Sequence, residues 1–343
     1  MTLEGIKKTV QSSEYDFLRT DPHLGNSIML LGLGGSHAYG LATPTSDLDV
    51  RGLALRSKAE ILTSQDFEQI VDKDTDTTIY SFDKMVKLLI SQNPNTIEIM
   101  GLKPEHYLYI SPIGQELLDN VNLFISKKCV DSFKGYASAQ LYRLKQATTG
   151  MKNQSELEQH ILNTLKNMVN SFHGRYTDFS EDNINLYIDE SRQKDYDTEI
   201  FMDLHLTHYP VRDWRSMWSE LNNTVKSYSK LGKRNKNAIE KDKLGKHMYS
   251  LVRLPYMCID ILNGNGIITC REKEHDLLMS MKRNEWLDER GMPIPKFFEL
   301  VDDLMAQVDY AAEHSSIPDE PNYEKINEFV ASVNERVVTG ELE

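Results

Sequence analysis

Asp47 and Asp49 stand two residues apart at the head of an apolar segment, and Arg51 follows two residues later. Alternate side chains of an extended strand share a face. Two carboxylates and a guanidinium therefore point at one place, while Leu48, Val50 and Gly52 face the other way. Upstream, the apolar run from Ile28 to Leu33 breaks at Gly34, Gly35 and Ser36. Two glycines carry no side chain to hold a phosphate off, and the Ser36 hydroxyl with the amides of a short following helix favours an anion. Magnesium takes oxygen ligands and is usually held by one or two carboxylates plus substrate phosphates. Leaving both aspartates ionised side by side without a cation would be costly. Phosphoryl and nucleotidyl transfer ask for little else: two cations about 4 Å apart and donors for the polyphosphate.

These residues need a strand at 28–33, a tight turn, a short helix at 37–41, the Thr43–Ser46 loop and a second strand near 48–55. Around them the spacing predicts a surface helix over 3–20, with Ile6, Val10 and Phe17 as its contacts and Asp21-Pro22 as its stop. It also predicts partly helical chain at 58–72, strand character at 76–80 from β-branched and aromatic residues, and an amphipathic helix at 82–91. A further helix opens at Asn93-Pro94-Asn95 and carries Glu98. Beyond about 112 the pattern turns mainly helical. Helices are expected at 128–146, from Ser155 onward through a capping box, at 211–229, onward to about 262, and near 296–312 and 322–337. Alternation at 184–188 and 199–206 predicts a β-hairpin within the helical part. The fold class is α+β: a small mixed sheet flanked by helices over residues 1–112, then a largely helical C-terminal domain over 113–343 with a hairpin near 184–206.

A formal charge of −13 argues against a protein that coats nucleic acid by bulk electrostatics. One basic segment stands out: nine Lys or Arg between Lys226 and Arg253 against Glu240 and Asp242. Its later part, Lys243, Lys246, Ser250 and Arg253, recurs at helical spacing, whereas Leu244, Leu251 and Leu254 face elsewhere. A solvated charged face is the bland reading, and a surface for polyphosphate or an RNA backbone is the functional one. Cys129, Cys258 and Cys270 lack metal-ligand spacing and read as buried thiols. No run reaches the roughly 20 apolar residues of a membrane helix, so no membrane partner and a cytoplasmic location are expected.

On Gly35-Ser36 and Ser46-Asp47-Leu48-Asp49 the chain resembles the DNA polymerase beta-like nucleotidyltransferase superfamily. The resemblance narrows to the nucleotidyltransferases found beside RNA ligases in bacteria and phages. It is carried by Gly35 to Gly40, Ser46 to Gly52, Lys84 to Leu89 and Asn93 to Glu98, then by Lys127-Lys128, Phe133 to Ala137, Gln140 to Arg143, Lys246-His247 and Leu251 to Leu254. It implies a nucleotidyltransferase fold and a third carboxylate on a neighbouring strand. Asp76 matches best, with Asp74 and Asp83 behind it.

The expected enzyme is a metal-dependent nucleotidyltransferase of bacterial or phage-infected cytoplasm, using magnesium, or manganese in its place. An acceptor hydroxyl, on an RNA end by family likeness and by the basic segment, attacks a nucleoside triphosphate such as ATP and releases pyrophosphate. Asp47, Asp49 and Asp76 are the expected catalytic and metal-ligating residues. Gly35, Ser36, His37, Tyr39, Arg51, Lys246 and Arg253 are the expected nucleotide or phosphate contacts. Each has a bland alternative: Arg51 pairing with Asp49, His37 capping the turn, Tyr39 packing, and Asn93, Asn95 and Glu98 bracing the site. Two competing functions stay open, transfer to a small molecule or protein side chain, and a catalytically silent nucleotide- or RNA-binding partner of an RNA repair ligase. Salt dependence of RNA binding separates the acceptors.

Overall fold

The computed structural model describes residues 2–63, 65, 67–152, 154–176, 179–192, 198–229, 244–289 and 291–341. Of the basic segment, Lys230, Lys233, Arg234, Lys236, Lys241 and Lys243 lie outside the described residues, as do the side chains of Lys226 and Arg143. The chain forms two compact units. The first comprises Met1–Gln140, Met248–Asp288 and Pro293–Glu343, and the second Leu141–His247 with Glu289–Met292. Residues 113–140 and both C-terminal helices, expected in a separate helical domain, thus share a unit with the sheet.

The first unit is built on strands β1 (Ile28–Leu33), β2 (Val50–Ala54), β3 (Gln69–Asp72), β4 (Thr77–Ser81) and β5 (Tyr107–Ile110), in the order β3-β4-β2-β1-β5. β1 is antiparallel to β2 and β5, β2 is parallel to β4, and β3 is antiparallel to β4, giving the expected mixed sheet. Every residue of β1 is buried, as its unbroken apolar run requires of a strand covered on both faces. Helices α1 (Leu3–Val10), α2 (Phe17–Thr20), α3 (Gly35–Ala38), α4 (Lys58–Leu62), α5 (Phe82–Ile90), α6 (Pro94–Ile97) and α7 (Pro112–Asp119) accompany it. The predicted helix over 3–20 is two helices separated by a 3-10 turn at Ser13–Tyr15. Over 58–72, helix is confined to α4 among the described residues, and β3 takes the last four positions.

Phe82, Met85, Val86 and Leu89 of α5 fill the core beneath the sheet with Leu30 and Leu53. The C-terminal part of the chain completes that core. Leu254, Met257 and Ile261 come from α11 (Leu244–Leu262), Val308 from α13 (Pro295–His314), and Ile326, Phe329 and Val333 from α14 (Tyr323–Thr339). Phe82 and Phe329 meet edge to face at 6.0 Å. Each such side chain contributes about 1.5–3 kcal/mol on burial, so α11, α13 and α14 are structural parts of the first unit. Between α11 and α13 lies α12 (His275–Lys282), a helix the sequence reading passed over.

The second unit packs α9 (Gln154–Phe172) and α10 (Val211–Ser229) with a hairpin of β6 (Ile184–Glu190) and β7 (Thr198–Leu204). Leu162, Leu165 and Phe172 form its core with Ile184, Leu186, Met217 and Leu221. α8 (Cys129–Lys152) and α11 carry the chain out of and back into the first unit. Among the described residues no helix is long and apolar enough to cross a membrane.

Candidate active site

The turn after β1 and the acidic segment before β2 are locked together. The Gly34 amide donates to the Asp49 carbonyl at 2.8 Å, continuing the β1–β2 pairing past Leu33 and Val50. Gly35 then adopts a left-handed φ of +51° and starts α3. A Cβ at Gly35 would lie 1.8 Å from Asp49 Oδ2 and 2.8 Å from its Cγ. The carboxylate thus occupies the space that any other residue at 35 would fill. Glycine serves two purposes here, the backbone angle and the contact. Ser36, the second residue of α3, is buried beside them.

Asp47 is exposed on the extended chain leading into β2, and Asp49 is largely covered, with 14% of its side chain accessible. The loop before them is closed by Ser46, whose Oγ accepts from the Thr43 amide at 2.8 Å. Lys282, at the end of α12, fastens the same loop: its Nζ donates to the Leu41 carbonyl at 2.6 Å and to Ser46 Oγ at 3.2 Å. Lys282 is a positioning residue that sequence reading missed, because nothing in its local pattern ties it to a loop 240 residues upstream. The His37 ring hydrogen-bonds the Ser46 backbone, and burial holds its pKa below the ordinary value. His37 thus sits against the acidic loop. His106, whose ring bonds the Ala38 backbone, is likewise pushed down, chiefly by burial.

Asp76 immediately precedes β4. Parallel pairing of Val50 with Thr77 brings it alongside Asp49 on the adjacent strand. It is exposed and has a left-handed φ of 46°. Such a backbone costs something in any residue with a Cβ, least in Asp or Asn, and recurs at functional sites. Arg51 bridges the two acids. Its Nη1 donates to the Asp76 carbonyl at 2.5 Å, and its Nη2 lies 3.2 Å from Asp76 Oδ1 and 3.7 Å from Asp49 Oδ1. The weaker candidates are placed otherwise: Asp83 pairs with Arg56, and Asp74 is exposed in the β3–β4 turn. No group of three or more His, Cys, Asp or Glu among the described residues is arranged to hold a metal ion by itself. Asp47 and Asp49, two residues apart and leading into β2 beside the glycine turn, offer oxygens of the kind a hard cation takes when phosphate oxygens complete its coordination.

Three motif segments distant in sequence meet behind α3. The Tyr39 hydroxyl donates to Glu98 Oε1 at 2.9 Å and accepts from Arg253 Nη2 at 3.1 Å. The Arg253 guanidinium stacks 3.8 Å from the Tyr39 ring centroid. Arg253 Nη1 lies 2.8 Å from Glu98 Oε2, an ion-pair contact in which the N–H is not aimed at the oxygen. Thr269 Oγ1 anchors Glu98 from its carbonyl at 2.7 Å. Burial raises the Tyr39 pKa far above its usual range, so the phenol stays protonated.

This arrangement corrects one expectation. Arg253 is 3% exposed and does not join Lys246 in an exposed basic stripe. The physical reason is that its face of α11 is an interior face, and a buried guanidinium requires a carboxylate. Lys246 is exposed on the first turn of α11 and belongs to the second unit. Lys127 and Lys128 pair with Asp319 and Glu320. Glu98 has the bracing place expected of it.

Compared with known proteins, residues 6–155 match the model of a family described as the RNA repair pathway DNA polymerase beta family. No curated protein and no solved structure matches the chain.

Proposed function

We propose, for a chain whose residues 6–155 match the model of the RNA repair pathway DNA polymerase beta family, a metal-dependent transfer of a nucleoside monophosphate from a triphosphate to a hydroxyl on an RNA end. The family supports a nucleotidyltransferase-like role, and the triphosphate, the metal and the acceptor are the further steps of this reading. The observation that carries it is the seating of Asp49 against Gly35: a carboxylate and a phosphate-sized turn are held in contact by the backbone itself.

Asp47 and Asp49 would hold magnesium or manganese, with Asp76 as the third acid. When bound, the cation neutralises charge on the phosphates and lowers the pKa of the attacking hydroxyl. The residues around it do the positioning. Gly35 and Ser36 leave room for the terminal phosphates and offer donors to them. Arg51, with its Nη2 between Asp49 and Asp76, is within reach of a phosphate oxygen that arrives there. Lys282 and His37 fix the loop that aims Asp47, while Tyr39, Glu98 and Arg253 hold the far side of α3. A site kept rigid in this way needs little rearrangement as charge develops.

The test is pyrophosphate release on incubation with each of the four labelled triphosphates, magnesium and mixed RNA, followed by sizing of the RNA. Asp47→Ala and Asp49→Ala should abolish release. No pyrophosphate from the wild type, together with RNA binding that is equal in wild type and both variants, would refute the enzyme.

A further inference from the structure

The acceptor site is not defined by the catalytic turn, and residues 6–155 stop short of most of the second unit. The outward face of α10 carries a groove of about 490 Å3 lined by Arg212, Arg215, Ser216, Ser219 and Glu220. These positions fall together at 100° per residue, opposite Met217 and Leu221, which enter the core. Neither Arg212 nor Arg215 is ion-paired with any described residue. The one carboxylate of the groove, Glu220, is already engaged by Arg175 through contacts of 2.8 and 3.2 Å. The groove therefore presents two guanidiniums without an ion-pair partner among the described residues, together with the Ser219 hydroxyl; the Ser216 Oγ donates to the Arg212 carbonyl at 3.2 Å. At its flank, one turn from Arg215, stands Trp218, 39% exposed and stacked on Trp214 with ring centroids 6.0 Å apart.

Two guanidiniums spaced by one helical turn, with the Ser219 hydroxyl one turn further on and an indole face beside them, match the chemistry of single-stranded RNA. The cations and the Ser219 hydroxyl meet phosphodiester oxygens, and a ring held by a second ring offers a platform to a base. A peptide partner fits less well, since an acidic peptide would not need the indole and an apolar one would leave both arginines unpaired. We infer that this face of α10 binds single-stranded RNA, with Arg212 and Arg215 on successive phosphates and Trp218 stacking on a base. The inference rests on the RNA-acceptor reading above and adds where the strand is held.

The experiment measures binding of a fluorescein-labelled single-stranded RNA 12-mer to the full chain by anisotropy, from 0.05 to 0.5 M salt. Removing two phosphate contacts should lower the magnitude of the log–log salt slope by about 1.4, at roughly 0.7 per phosphate of a single strand. Arg212→Gln/Arg215→Gln should therefore weaken binding by about tenfold at low salt and flatten the slope. Trp218→Leu should weaken it about fivefold or more and leave the slope unchanged. Circular dichroism melts establish that each variant is folded, and binding of a labelled triphosphate should not change. Wild-type affinity and slope in both variants would overturn the inference and leave the transferase reading standing. Loss of RNA binding in the variants of a chain that releases no pyrophosphate would support the inference and sink that reading. A wild type that binds no RNA would overturn the RNA acceptor and this site together.

Discussion

Replacing Gly35 with alanine separates two costs that the structure places at one residue. The first is backbone strain: at φ +51° an alanine costs about 1–2 kcal/mol. Gly264 isolates that cost, because it has a φ of +76° and nothing within 4 Å of an added Cβ. The second is displacement. Ordinary contact begins near 3.4 Å, so a Cβ at 1.8 Å from Asp49 Oδ2 must drive the carboxylate back by about 1.6 Å. A misplacement of about 1 Å in a catalytic group costs on the order of 100-fold in rate. Urea unfolding should show both Gly35→Ala and Gly264→Ala losing about 1–2 kcal/mol. Pyrophosphate release should be near wild type in Gly264→Ala and reduced about 100-fold in Gly35→Ala. Activity in Gly35→Ala within about threefold of Gly264→Ala would show that the Asp49 seat does not matter to the chemistry.

Three further outcomes follow from the neighbouring contacts. Arg253→Met strands the Glu98 carboxylate in the interior and should cost about 3–5 kcal/mol by urea denaturation, whereas Arg253→Met/Glu98→Gln should recover much of that loss. His37 and His106 are both held below the ordinary value of 6.5, chiefly by burial. As pH falls past that value the unfolded chain takes up protons that the folded chain refuses, so stability is complete above it and declines below it. Urea midpoints at pH 7.5 and 5.5 should therefore differ in the wild type and differ less in His37→Gln/His106→Gln. Lys282→Met removes two bonds to the Leu41–Ser46 loop, and should cost about 1–2 kcal/mol and weaken manganese binding measured by electron paramagnetic resonance, with Lys282→Arg restoring most of both.

The part of the site that was legible in the sequence was the part made by short-range geometry. A strand, a two-glycine break and a second strand with alternate acids lie within 28–54, and two-residue periodicity orders their side chains. Asp76 was named from the resemblance and not from its own neighbours; that it stands beside Asp49 follows from the parallel register of β2 and β4. Motifs alone could not say which partners Tyr39, Glu98 and Arg253 had. The spacing of Arg253 with Lys246 suggested one exposed face, yet α11 turns Arg253 inward, where only the tertiary fold supplies Glu98. β5 was missed although Tyr107-Leu-Tyr-Ile110 alternates, because four residues are too few for periodicity to stand out. α12, at eight residues, is also shorter than the window over which helical periodicity is read, and Lys282 was missed with it.

The interruption of the first unit by the second has a temporal meaning. During synthesis, Gly35, Asp47, Asp49 and Asp76 leave the ribosome long before α11 and α12, which supply Arg253 and Lys282. At that stage Glu98 has no cation to bury against, the Leu41–Ser46 loop is untethered, and the apolar underside of the sheet lacks α13 and α14. Contacts across so long a stretch of chain form late, since loop closure must precede them. The second unit has its own local core and can fold while it waits. A nascent chain therefore carries the acids of the candidate site without the contacts that fix their loop, and acquires those contacts only when its C-terminal helices arrive.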